Sequence, residues 1–172
     1  MIYSLTLWPE WLPAFTQLGK DVENRRWKPS VPTPFEIVLL AGRKFGGKRS
    51  SLQEEDELAL RQAACRAGWE GVVEGGKCVA LLSPTTTPRP KTIPWPPPFD
   101  PGHALALVTV EEIVRGHRSP WSIPGQYQWV LSRVLPLQYS IPARGHQGLR
   151  PFPEALMPRL YDSLGPGSIP LP

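Results

Sequence analysis

A chain of 172 residues has room for one domain with a sizeable core, and an apolar fraction of 41% is that of a globular protein. Nineteen Lys and Arg against fifteen Asp and Glu leave a charge of +4, a mild basic excess that suits an anionic partner such as nucleic acid as well as an ordinary soluble surface. Two cysteines make no disulfide framework, no basic and apolar leader opens the chain, and no run of eighteen apolar residues occurs, so a disulfide scaffold and a membrane-spanning helix are excluded and a cytoplasmic, soluble protein is expected.

In Ile2 to Leu7 the apolar Tyr3, Leu5 and Leu7 alternate with Ser4 and Thr6, which predicts a half-buried first strand. Trp11, Ala14, Phe15 and Leu18 then fall at helical spacing, with Pro9 and Pro13 suited to the start of a helix and Gly19 to its stop. Val22 to Trp27 reads as a second strand, closed by Pro29, Ser30, Pro32 and Pro34. Its period of two puts Glu23, Arg25 and Trp27 on one face and Val22, Asn24 and Arg26 on the other. A face that only covered a core would read Val, Ile and Leu, so an acid, a base and an indole point to a site; the alternative is an exposed strand carrying a surface ion pair of little worth.

Phe35 to Ala41 is nearly continuous apolar sequence of strand length and is expected at the centre of a sheet. The glycine-bearing stretch after it carries Arg43, Lys44, Lys48 and Arg49, which form either a solvated face or a set of phosphate contacts. Ser51-Leu52-Gln53-Glu54 is a capping box, opening a helix with Leu60, Ala63, Ala64 and Ala67 as its apolar stripe and Gly68 as its end; Cys65 on this helix reads as a packing residue. Cys78 to Leu82 is a further strand. Ser83 to Gly102 is too rich in proline to join a ladder and reads as a long loop, with Trp95 between two prolines as an exposed aromatic.

Ala104 to Val110 predicts another buried strand, followed by a helical turn over Glu111 to Gly116. Tyr127 to Val134 alternates as a strand, Pro136 to Phe152 is turn-rich, and Pro153 to Leu164 predicts a closing helix. Six or so strands with two or three helices and no internal repeat make an α+β protein, a small mixed sheet or barrel with a few flanking helices. His103, His117 and His146 lie far apart without metal-ligand spacing, and no phosphate loop, nucleophile elbow or zinc signature is present. No metal and no cofactor are expected.

An ordered set of short pieces resembles the ASCH domain family of the PUA-like β-barrel superfamily. The pieces are Leu5-Thr6-Leu7-Trp8 with Trp11, Lys20-Asp21-Val22-Glu23-Asn24-Arg25-Arg26-Trp27, and Val38-Leu39-Leu40-Ala41-Gly42-Arg43-Lys44. They continue with Ala104-Leu105-Ala106-Leu107-Val108, Ser119-Pro120-Trp121, Gly125-Gln126-Tyr127-Gln128-Trp129-Val130-Leu131 and Ile141-Pro142-Ala143-Arg144-Gly145-His146-Gln147-Gly148-Leu149. The match runs over about residues 2–152 of a single domain, 1–172, with insertions at about 45–77 and 83–101 and a C-terminal helical tail at about 153–172.

The resemblance implies a small PUA-like barrel with a cleft lined by Lys20, Glu23 and Arg25, and a link to RNA, single-stranded nucleic acid or modified nucleosides. Trp8, Trp27, Trp121 and Tyr127, with Trp11 and Trp129, are the expected aromatic walls; Arg144 and His146 lie on a polar, glycine-bearing turn that the resemblance puts near the cleft. Such rings stack on bases while cations neutralise phosphates and a carboxylate accepts from an amino edge. Amidohydrolases of the family acting on acetylated cytidine carry a motif similar to Lys-x-x-Thr, with the Thr as nucleophile; Lys20 matches the Lys and Glu23 stands at the Thr position. The expected function is thus a binding module for RNA or a modified nucleotide. The alternative is a hydrolase, of amidohydrolase or ribonuclease type, with Glu23 as base on a water and Lys20 or Arg25 on the oxyanion.

Overall fold

The computed structural model describes residues 1–8, 11–42, 51–74, 77–83, 92–94 and 101–164. In chain order its elements are β1 (Ile2–Leu7), α1 (Leu12–Thr16), β2 (Val22–Arg25), β3 (Phe35–Ala41), α2 (Ser51–Arg66), β4 (Glu70–Glu74), β5 (Lys77–Leu82), β6 (Thr92–Pro94), β7 (His103–Val114), β8 (Tyr127–Pro142), β9 (Leu149–Pro151) and α3 (Met157–Leu164). A 3-10 turn, Glu154–Leu156, leads into α3. The molecule is a mixed α+β fold in which six strands, ordered β2-β8-β7-β3-β1-β9, curl into a half-barrel, and β4-β5-β6 form a second, smaller sheet.

The near-continuous apolar run of β3 has a direct cause. This strand lies between β7 and β1, antiparallel to the first and parallel to the second, and is buried on both faces. Ile37 and Leu39 join Leu5, Leu7, Val108 and Trp129 on one side, while Val38 and Leu40 join Leu107, Ile141 and Phe152 under α3 on the other. A strand with water on one face alternates; one with protein on both does not. A third cluster ties α1 to α2, where Ala14, Leu18, Leu60, Ala64 and Trp69 meet Trp121. The Trp69 indole N–H donates to Leu18 O at 3.1 Å, so the ends of the two helices are pinned together.

Several expectations give way to pairing. Glu111 to Gly116 is not a helical turn: β7 continues to Val114, with Glu112, Ile113 and Val114 opposite Val130, Trp129 and Gln128. A ready partner strand outweighs the helical preference of two glutamates. Pro136 does not end its strand either. It sits opposite Ala106 at a register shift of β7 and β8, where a missing N–H costs no ladder bond, and β8 runs on to Pro142. These irregularities let the two long strands bend around the core. In the proline-rich segment Thr92–Pro94 does join a ladder, on β5, as a short edge strand where a proline is tolerated. Cys65 is exposed, because it falls off the stripe of Leu60, Ala63 and Ala64 on α2. Trp95 and residues 165–172 lie outside the described residues, as does the side chain of Cys78.

Candidate functional site

Lys20 reaches the site through the end of α1. Gly19 adopts a left-handed backbone, φ +73, and Lys20 N donates back to Ala14 O at 2.8 Å, which turns the chain sharply out of the helix. The side chain is then carried inward and is only 3% exposed. Its ammonium lies 4.3 Å from the centroid of the Phe15 ring and 5.9 Å from that of Trp11, donates to Val22 O, and stands 3.6 Å from Glu23 Oε2. Burial pulls the Lys20 pKa down from 10.5 to about 8, against the opposing pull of the Glu23 carboxylate.

Alternation along β2 puts Glu23 and Arg25 on the same face. Arg25 Nε is 2.9 Å from Glu23 Oε1, with its N–H turned off the line to the oxygen, so the contact is an ion pair rather than a hydrogen bond. Arg25 Nη2 donates to Thr6 O at 3.3 Å, tying β2 to the end of β1. One carboxylate, 8% exposed, thus bridges two cations. A buried charge without such partners would be expelled or neutralised.

The opposite wall is the turn after β8. His146 N donates to Thr6 Oγ1 at 2.8 Å, and Gly145 packs so closely on Thr6 that a Cβ there would sit 2.9 Å from Thr6 Cγ2. Ser4 Oγ donates to Arg150 O at 3.3 Å and lies 2.8 Å from His146 Nε2. Nδ1 of the same ring is buried and has no hydrogen-bond partner among the described residues. Burial lowers the His146 pKa from its ordinary value, partly offset by the Gln147 and Gly148 backbone, which favours the uncharged ring.

Between these walls opens a cleft of about 1290 Å³. Lys20, Glu23, Arg25, Trp8, Arg144 and His146 all line it, so the structure brings together six of the residues singled out from the sequence. Trp8, 57% exposed, and Trp11 are its aromatic sides. Trp27, Trp121 and Tyr127 lie elsewhere. Trp121 is buried against α1 and α2; Trp27 leans edge-on against Trp129, ring centroids 5.0 Å apart; Tyr127 flanks the core beneath the Arg115 guanidinium. Arg43, Lys44, Lys48 and Arg49 lie outside the described residues.

Three residues that the sequence reading did not single out shape the cleft. Thr6 accepts from both walls, through its carbonyl and its hydroxyl. Asn24 donates to Trp121 O and accepts from Ile123 N, each at 2.9 Å, fastening the loop before β8 to β2. Gln128, 1% exposed, accepts from the Gly116 and His117 amides and donates to Ile123 O and Gln126 O, which meets its whole hydrogen-bonding capacity. Its place in a strand of alternating polar residues was the only sequence signal, and that pattern also fits a surface position.

Among the described residues no three His, Cys, Asp or Glu side chains gather as a metal site, and no helix is long and apolar enough to cross a membrane. No family model and no curated protein matches the chain. The arrangement offers a ligand a buried carboxylate flanked by cations and exposed indole surface at the mouth.

Proposed function

We propose that the protein binds RNA or a modified nucleotide, holding one base in the cleft of a PUA-like barrel. The observation that carries this is the Lys20–Glu23–Arg25 chain of charges, sunk at the base of an open cleft with Trp8 exposed at its mouth. Glu23 accepts from the amino or imino edge of the base, the cations on either side fix the carboxylate, and Trp8 or Trp11 offers a face for stacking. Arg144 at the rim suits a phosphate. Isothermal titration with the common and modified nucleosides tests it. Glu23→Gln keeps the shape but removes one charged acceptor, so affinity falls by about 1 to 3 kcal/mol with no turnover in either protein. Equal affinities in the two proteins would refute the assigned role of Glu23.

A hydrolase is the second reading, favoured by the Lys20 pKa of about 8 beside a carboxylate. In that case Glu23 activates water and Lys20 stabilises the oxyanion. Release of acetate from acetylated cytidine by the wild type, lowered about 10² to 10⁴-fold in Glu23→Gln with binding intact, would establish this reading over the first.

A further inference from the structure

Outside the cleft, cations and aromatic rings form a second row. Arg25 on β2 is paired across the sheet with Tyr127 on β8, and Arg115, which follows directly on β7, lies with its guanidinium 4.3 Å from the centroid of the Tyr127 ring. Three neighbouring chain segments thus present cation, ring and cation at one level of the half-barrel. Two residues along β8 on the same side, Trp129 supports the edge of Trp27, which is 37% exposed. Arg26 and Lys28 flank Trp27 and are also exposed. Among the described residues none of Arg26, Lys28 and Arg115 meets a carboxylate. The nearest acid on β7, Glu112, stands opposite Val130, beyond the Trp129 level.

The core takes in Tyr127 and the cleft takes in Arg25, but neither uses the Arg115 guanidinium or the exposed part of Trp27. An exposed indole set edge-to-face against a buried one and a guanidinium over a phenol ring, with cations beside them that meet no carboxylate among the described residues, are the means by which proteins hold single-stranded nucleic acid: bases stack on the rings and phosphates meet the cations. The row also begins at the cleft, because Arg25 belongs to both.

The geometry points to a second subsite, at Tyr127, Arg115 and Trp27, that takes the nucleotide next to the one in the cleft, so that the ligand is a single strand of nucleic acid and not a free nucleoside. This rests on the reading of the cleft as a base-binding site. Arg25 stands at the junction, between the base held by Glu23 and the phosphate that joins the two nucleotides. Trp27 stacks on the neighbouring base.

Fluorescence anisotropy with a labelled random-sequence eight-nucleotide RNA pool, beside titration with the four ribonucleoside monophosphates, tests the subsite. Arg115→Gln and Trp27→Ala serve as variants, with circular dichroism melts to show that both are folded. The pool binds the wild type at least about tenfold more tightly than the monophosphates, and Trp27→Ala weakens the pool by about tenfold, as the loss of one stacked base requires. Arg115→Gln makes the dependence of log affinity on log salt shallower by about 0.7, the value of one phosphate contact. Monophosphate affinity stays unchanged in both variants. Pool affinity unaffected by either variant, with monophosphates still bound, overturns the subsite and leaves the cleft reading standing; so does an equal fall for both probes. A wild type that binds neither probe overturns both.

Discussion

Burial alone would strip the proton from an ammonium as deep as that of Lys20, and the Glu23 carboxylate 3.6 Å away opposes that loss, leaving a pKa of about 8. The consequence for stability has a definite sign. In the unfolded chain Lys20 titrates near 10.5, so between about pH 8 and 10.5 the unfolded state holds a proton that the folded state lacks, and stability rises with pH over that window. The slope approaches about 1.4 kcal/mol per pH unit. Urea unfolding of the wild type and of Lys20→Met from pH 7 to 10.5 isolates this residue from the others that titrate there. The wild type gains on the variant through the window; a constant difference would mean that folding does not lower the Lys20 pKa.

At the scale of elements, the site is made where strand ends and turns approach closely. Gly145 is needed because the turn after β8 lies against Thr6, and Gly145→Ala forces that turn away from β1, weakening the bond from His146 N. Its expected cost is about 1 to 3 kcal/mol by overpacking, together with a loss of ligand affinity. Gln128→Leu tests the loop before β8 in the same spirit. The Gly116 and His117 amides lose their acceptor, so about 2 kcal/mol or more of stability goes and hydrogen exchange at those two amides speeds up. Unchanged exchange would show that the loop stands without Gln128.

How far the elements were legible depends on whether the signal is local. The Glu23 and Arg25 alternation, the Gly19 stop and the apolar run of β3 are local, and all three stand in the structure where the pattern predicted them. The extension of β7 over Glu111 to Val114 was not legible, since it depends on β8 as a partner 14 or more residues ahead. Nor was the sorting of the tryptophans. Whether Trp8 faces a cleft and Trp121 a core is decided by the curl of the sheet and by where α2 packs, and neither is written in the period of two.

For the molecule as a whole, the half-barrel sets a polar cleft between β2 and the turn after β8, while α3 and the second sheet pack on other parts of the core. The nucleotide binding proposed for this cleft has a direct measurement. Protein purified under native conditions is digested with nuclease and phosphatase, and the released nucleosides are quantified by mass spectrometry against an unrelated protein handled alike. Nucleosides well above that background, with one enriched, are the expected result, and this excess falls in Glu23→Gln and is absent when Lys20, Glu23 and Arg25 are all replaced. No excess over the background, or the same excess in wild type and triple variant, would contradict it.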